Sequence, residues 1–187
     1  NSIYTAEHYD ARLEQTGWNT TNFDDSKWKR VIYRSAPSQN VVAQALHPVR
    51  NVEEIKAKSL RKFNDTTYLF DLGRNVSGIS KIKLNGPTGT VVRLKHVERL
   101  YANGRADMSN IDVHYRPTDD KDPFQTDIII LNGKGEQSFM PHFNYKGFQY
   151  IEVSSSEPVS LTKKSLKGYF MHSDVPAVGQ MNSSNPL

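Results

Sequence analysis

The sequence contains no cysteine among its 187 residues. This absence excludes a disulfide framework, a catalytic thiolate and a cysteine-ligated metal site, so packing alone has to hold the core together. Long apolar runs are also missing. The longest, at 128–131, falls far short of the roughly 18 residues that a membrane-spanning helix needs. The N-terminal residues show no signal-peptide pattern, and we expect both ends to lie within a longer polypeptide.

Charge of one sign is in only slight excess and is scattered along the chain. Lys and Arg number 24 against 20 Asp and Glu, which gives a net charge of +4. The longest basic clusters, at 27–30 and 163–164, are shorter than the stripe that marks a nucleic-acid footprint. We therefore expect a solvated surface, and neither a nucleic acid nor a membrane as partner.

Helical periodicity is weak throughout, whereas strand patterns recur. From Phe148 onward, large apolar side chains alternate with polar ones, as in a strand with one buried face. Seven strand candidates follow this reasoning, at 68–72, 78–84, 90–98, 124–131, 137–140, 148–153 and 165–172. Turn signals separate them at 85–89, 103–104, 132–135 and 146–147, and we expect a Gly turn to break the segment 70–78. This spacing predicts an all-β fold, an antiparallel β-sandwich of jelly-roll type with little helix.

The remaining segments are less regular. Residues 1–47 are polar and turn-rich, with a short strand candidate at 31–33. The best helix candidate, at 52–60, has a thin apolar face and predicts one or two turns at most. We expect Phe143, Phe148 and Tyr150 to contribute to the core, with a turn at Gly147 directing Phe148 inward.

Two motifs carry a resemblance to a known family. Phe-Asp-Leu-Gly-Arg-Asn at 70–75 and Pro-His-Phe-Asn-Tyr-Lys-Gly-Phe at 141–148 resemble segments of the bacterial α-L-rhamnosidases, glycoside hydrolase family 78. Segments 9–13, 17–18 and 23–28 are similar to the end of that family's N-terminal module, and 171–176 with 182–187 to its connector. Two features depart from the pattern: Arg74 stands where Gln is common, and the 105–123 region is longer than usual.

The resemblance implies a division of the chain into three parts. Residues 1–47 would be the tail of an N-terminal module, 48–175 a concanavalin-like β-sandwich, and 176–187 a connector toward an (α/α)6 catalytic barrel. In that family, carboxylates on the barrel hydrolyse terminal α-L-rhamnosyl residues with inversion. None of those catalytic residues falls on this chain. The resemblance further implies no cofactor, and a periplasmic or secreted location.

The leading hypothesis is therefore a non-catalytic domain that scaffolds the barrel and lines its substrate cleft. Its partners would be the barrel, the N-terminal module and rhamnose-containing glycans. The alternative is a free-standing carbohydrate-binding module for rhamnosyl glycans. A third interpretation, a complete small hydrolase, would require two converging carboxylates in a cleft.

The longest irregular stretch, 105–123, is the predicted substrate-binding segment. Loops of this length in compact domains are usually functional or disordered, and this one is rich in hydrogen-bonding side chains. The candidate residues are His114, Tyr115, Arg116, Asp119 and Asp120. With Asp122, the aspartates could ligate a hard cation, but the spacing and glycine of an EF-hand loop are missing. We predict a solvated acidic loop and no metal site.

Other candidates lie nearer the N-terminus. Trp18, next to Gly17, is the best candidate for an aromatic that stacks on a sugar. The adjacent pair Asp24 and Asp25 cannot easily converge on a substrate, so we expect one of them to cap a turn that Phe23 and Trp28 anchor. The histidines outside the long loop follow no metal-ligand spacing and are expected to be structural; they are His8, His47, His96, His142 and His172.

Overall fold

The computed structural model describes residues 4–111 and 123–185. Its regular structure in those ranges consists of strands and two 3₁₀ turns, Ala11–Leu13 and Lys163–Ser165. The strands are β1 His8–Asp10, β2 Val49–Lys56, β3 Ser59–Asn64, β4 Thr67–Leu84, β5 Val91–Val97, β6 Arg99–Leu100, β7 Ala106–Asp107, β8 Thr126–Ile130, β9 Gln137–Phe139, β10 Lys146–Ser155 and β11 Leu166–Ser173. The all-β prediction is confirmed. Within the described ranges, no helix has the length and apolar character needed to cross a membrane.

Strand β4 is shared by both layers of the sandwich. Its N-terminal part pairs with β3 on one side and β10 on the other, and its C-terminal part pairs with β11 and β9. Beyond β10 the first layer continues through β5 and β8, and beyond β11 the second continues through β2. A single hydrogen-bonded sheet thus curls into two layers.

The two layers enclose one apolar core. Phe70, Leu94 and Phe148 from the first layer belong to the same buried cluster as Ile82 and Leu166 from the second. The predicted burial of Phe148 is confirmed, since its side chain is completely inaccessible. Alternation along each strand buries these residues, because every second side chain of a strand points to the same face.

The predicted strands at 68–72 and 78–84 form one continuous strand, so the expected Gly turn between them is wrong. The register instead shifts within β4, where Val76 faces Phe148 and Asp71 faces Tyr150. Gly73 lies between these two pairs, in the part of β4 where the register shifts, and has a φ of +82°, a conformation that glycine adopts without strain. A β-bulge therefore replaces the turn.

Three further predictions are wrong. Residues 52–60 form the end of β2, a two-residue connection and the start of β3 rather than a helix, because the antiparallel pairing of β2 with β11 outweighs a weak helical pattern. Lys146 and Gly147 lie inside β10 rather than in a turn. Residues 31–33 have no regular structure and remain exposed, since no neighbouring strand pairs with them. The other five strand candidates correspond to β5, β8, β9, β10 and β11.

Candidate functional site

Strand β1 joins the N-terminal segment, residues 4–47, to the edge of the first layer. It pairs in parallel with β8, with His8 opposite Ile128 and Asp10 opposite Ile130. Among the described residues, this is the one parallel pair of an otherwise antiparallel fold. The pairing fixes the position of the turns that follow β1.

Glu7 fastens this junction through both its backbone and its side chain. Its N–H donates to Asp127 Oδ1 at 3.0 Å. Its carboxylate Oε2 accepts from the N–H groups of His142 and Phe143, at 2.8 and 3.3 Å. Glu7 is buried, and hydrogen bonds from backbone N–H groups are what a buried carboxylate requires. One residue thus contacts both β8 and the segment that precedes β10.

Beneath this junction lies a buried polar cluster. Lys146 Nζ lies 2.9 Å from Asp127 Oδ2, and burial raises the pKa of Asp127 while lowering that of Lys146. His96 Nδ1 donates to the carbonyl of Gln125 at 3.2 Å, so Nε2 accepts from Ser80 Oγ at 2.8 Å. Burial and the nearby Lys146 charge hold the pKa of His96 well below 6.5. The cluster is inaccessible to a substrate and is therefore structural.

An open cleft of about 750 Å³ lies between the N-terminal segment and β9. Five aromatic side chains line it: Tyr9, Trp18, Trp28, Phe139 and Phe143. Its polar lining includes Glu7, Glu14, Gln15 and His142. Aromatic surface with a few convergent polar groups is the usual composition of a small-molecule site.

Specific contacts hold two of these aromatic rings. The ring of Tyr9 packs on Phe139 with 5.6 Å between centroids, and its hydroxyl donates to Glu14 Oε2 at 2.8 Å. Burial and Glu14 raise the pKa of Tyr9 to about 12. Trp28 Nε1 donates to Gln15 Oε1 at 2.6 Å. These rings are therefore fixed before any ligand arrives, whereas Trp18 is 58% exposed.

The turn at 23–28 matches its prediction. Asp24 Oδ1 accepts from the N–H of Ser26 at 3.0 Å, and hydrogen bonds from the side chain and then the backbone of Ser26 lower the pKa of Asp24. The rings of Phe23 and Trp28 pack 5.4 Å apart. Asp24 is thus the residue of the pair that caps the turn.

Both carboxylates that line the cleft, those of Glu7 and Glu14, already have hydrogen-bond partners. A glycosidase needs one carboxyl that can give up a proton and a second that is free to act as base or nucleophile. Glu7 is occupied by backbone N–H groups, and Glu14 by the hydroxyl of Tyr9. Within residues 4–111 and 123–185, no group of three His, Asp or Glu side chains could hold a metal ion.

Most of the predicted substrate residues lie outside the described ranges: His114, Tyr115, Arg116, Asp119 and Asp120. Trp18, the sixth, lies in the cleft. The start of the 105–123 stretch is more regular than predicted, because β7 pairs with β6. Arg105 donates twice to the Glu152 carboxylate, each time at 2.8 Å. The pKa of Asp107 falls to about 2, because Ser109 and Arg99 donate to it.

Sequence reasoning missed Glu7 and misplaced Phe143. Glu7 acts on backbone groups 135 and 136 residues away, so no local spacing marks it. Phe143 is 82% exposed at the cleft, so its expected place in the core is wrong. It lies between β9 and β10, where the alternation of neither strand applies.

Comparison with known proteins identifies two family models along the chain. The model of the bacterial alpha-L-rhamnosidase concanavalin-like domain matches residues 61–172. The model of the alpha-L-rhamnosidase N-terminal domain matches residues 1–53. Strand β1 lies within the second match and its partner β8 within the first, so the junction connects the two matched regions.

Individual relatives are similar along nearly the whole chain. An alpha-L-rhamnosidase of Streptomyces avermitilis is 32% identical over 99% of this chain, which covers 17% of that protein. A solved alpha-L-rhamnosidase from Dictyoglumus thermophilum superposes with a TM-score of 0.85 at 31% identity, over 99% of this chain and 20% of that one. The solved structure of the Streptomyces avermitilis enzyme in complex with L-rhamnose superposes with a TM-score of 0.77 at 32% identity, over 94% of this chain and 16% of that one. The chain thus spans a fifth or less of these relatives.

Proposed function

This chain belongs to the bacterial α-L-rhamnosidases through its concanavalin-like domain. On that premise we propose that it is a non-catalytic joint, a connection that holds neighbouring domains together, within a longer rhamnosidase. One observation carries the proposal. Strand β1 and Glu7 tie the region that matches the N-terminal domain to the edge of the concanavalin-like sandwich. The joint would keep the modules on either side in a fixed relation.

The parent enzyme, in this proposal, removes terminal α-L-rhamnosyl residues by inversion. Two carboxylates on a helical barrel outside this chain would carry out that reaction. Support comes from the names of the relatives and from one relative solved in complex with L-rhamnose. A periplasmic or secreted location belongs to the same proposal.

Turnover of p-nitrophenyl α-L-rhamnopyranoside tests the division of labour. The intact enzyme should release p-nitrophenol, whereas the 187-residue chain alone should release none above the buffer rate. Turnover by the chain that disappears in Glu14→Gln would contradict the proposal, because it would place a catalytic carboxylate in the aromatic cleft.

The second candidate function is a free-standing module that binds rhamnosyl glycans, and the aromatic cleft favours it. Calorimetric titration of the chain with L-rhamnose separates the two functions. A saturable signal that Trp18→Ala abolishes would support the binding module. Absence of a signal up to millimolar sugar would support the joint. Asp25→Ala is a suitable control, because Asp25 does not line the cleft.

We also propose that the 105–123 segment contacts substrate in the intact enzyme. Its support is chemical: Arg116 with Asp119 or Asp120 could hold a vicinal diol by charge-assisted hydrogen bonds. Arg116→Ala and Asp120→Ala in the intact enzyme should raise KM for a branched rhamnosyl substrate without changing thermal stability. Unchanged kinetics in both variants would reduce the segment to solvated surface.

A further inference from the structure

Three lysines lie directly opposite one another on the second layer of the sandwich. Lys167 of β11 faces Lys56 of β2 on one side and Lys81 of β4 on the other. Residues directly opposite on neighbouring strands point to the same face, at a strand spacing of about 4.8 Å. Like charges in this arrangement repel each other and weaken the sheet. Sheet stability therefore does not account for the row.

The row is part of a larger basic surface. A shallow depression of about 80 Å³ is lined by Lys81, Lys83, Lys164, Ser165, Lys167 and Tyr169. We refer to Lys56, Lys81, Lys83, Lys164, Lys167 and Tyr169 together as the lysine face. Its side chains lie outside the core, since the buried residues Ile82 and Leu166 alternate with them along β4 and β11.

Acidic neighbours balance only part of this charge. Glu54 Oε1 lies 2.7 Å from Lys167 Nζ, and Glu136 Oε1 lies 3.4 Å from Lys83 Nζ. In the part of the chain that the structure describes, no carboxylate forms a salt bridge with Lys56, Lys81 or Lys164. Five lysines less two glutamates leave a local charge of about +3, which an anionic ligand would complement.

We propose that the lysine face binds a carboxylate-bearing polysaccharide, a polyuronate chain lying across β2, β11 and β4. Each uronate unit offers one carboxylate to a lysine, and the ring of Tyr169 offers a flat apolar surface to a sugar. A polyanion with regularly spaced charges fits a row of regularly spaced cations. This site lies on the second layer, where Lys83 pairs with Ser138 at the border of the aromatic cleft, and its occupancy requires no rhamnoside hydrolysis.

The test is affinity electrophoresis of the 187-residue chain in native gels that contain polygalacturonate. Migration should be retarded relative to gels with neutral dextran, and added salt should abolish the retardation. The double variant Lys81→Gln with Lys164→Gln removes two cations from the face. Loss of two exposed ion pairs should weaken binding by about five-fold.

The matched control is Lys27→Gln with Lys29→Gln, which makes the same change in net charge in an exposed N-terminal segment. This control should bind polygalacturonate like the unmodified chain. Equal weakening in both double variants would overturn the proposal, because net charge rather than the lysine face would then determine binding. Equal retention by dextran sulfate or duplex DNA would also overturn it, since the face would then lack preference for a uronate. Absence of retardation by polygalacturonate would do the same.

Discussion

Lys146 Nζ lies 2.9 Å from Asp127 Oδ2 in the interior, where the two side chains are 2% and 0% exposed. The pair links β10 to β8 across β5, which lies between them in the sheet. The backbone N–H of Glu7 donates to the other oxygen of Asp127. The salt bridge therefore fixes the Asp127 side chain that accepts from Glu7, and so stabilises the junction with β1.

Removing one partner should be costly, because the other charge then stays buried without compensation. Asp127→Asn keeps an oxygen for the N–H of Glu7 but leaves Lys146 without its countercharge, and should lower the free energy of unfolding by about 3–5 kcal/mol. Urea denaturation measures this loss. The double variant Asp127→Asn with Lys146→Met should recover much of it. A single variant that costs under about 1 kcal/mol would show that the charges are not both buried.

The buried His96 should make stability depend on pH. Its pKa lies well below 6.5 in the folded protein, so below about pH 6.5 the unfolded chain binds a proton that the folded one does not. Stability should therefore fall as pH decreases, by at most about 1.4 kcal/mol per pH unit for this group.

His96→Gln removes this dependence, because glutamine does not titrate. The stability advantage of the unmodified chain over His96→Gln should shrink by about 1–2 kcal/mol between pH 7 and 5. Taking the difference between the two proteins cancels other titrating groups. Urea denaturation at both values gives the result, and a constant difference would mean that His96 is accessible to protons in the folded state.

Phe148 should be among the most sensitive core positions. It is completely buried in the cluster shared by both layers, so Phe148→Ala should cost about 3–5 kcal/mol. Phe143→Ala is the matched control, since that ring is mostly exposed and its loss should change stability by under about 0.5 kcal/mol. Equal losses in the two variants would contradict the register of β10.

Gly78 marks the point where β4 passes from one layer to the other, since it pairs with Lys146 and with Phe170. A Cβ at this position would lie 1.8 Å from the carbonyl oxygen of Tyr169. Gly78→Ala should therefore push β11 away from β4 and cost about 1–3 kcal/mol or more. Thermal denaturation beside Gly179→Ala, where a Cβ meets no atom within 4 Å, provides the comparison. Equal melting temperatures would contradict this close approach.

The sequence predicted what local patterns encode. Alternation places Phe148 in the core, and Asp24 caps its turn through Ser26, two residues away. It did not predict that β4 is continuous, because Gly73 and Gly78 resemble turn residues until both strand partners are known. Lys146 likewise resembles a turn lysine, and its place in the sheet depends on two distant residues, Gly78 as its strand partner and Asp127 as the partner of its side chain.

The candidate site shows the same contrast between local patterns, which the sequence reveals, and contacts between distant residues, which it does not. The sequence singled out Trp18 beside Gly17, and the structure places this residue in the cleft, while its stacking on a sugar stays a prediction. The cleft around it could not be predicted, because β1 and β9 approach only after β1 pairs with β8 and Glu7 binds the segment before β10. Such contacts depend on backbone groups, which every residue carries and no pattern distinguishes.

The central claim is that the N-terminal segment is held to the sandwich, so that the two unfold as one unit. Two optical signals test it directly. Both tryptophans of the chain, Trp18 and Trp28, lie in the N-terminal segment. Their fluorescence therefore reports that segment, while far-UV circular dichroism reports the sandwich. In urea, the two transitions should share one midpoint, and Glu7→Ala should move the fluorescence transition to lower urea. A fluorescence transition that already precedes the circular dichroism transition in the unmodified chain would contradict the claim.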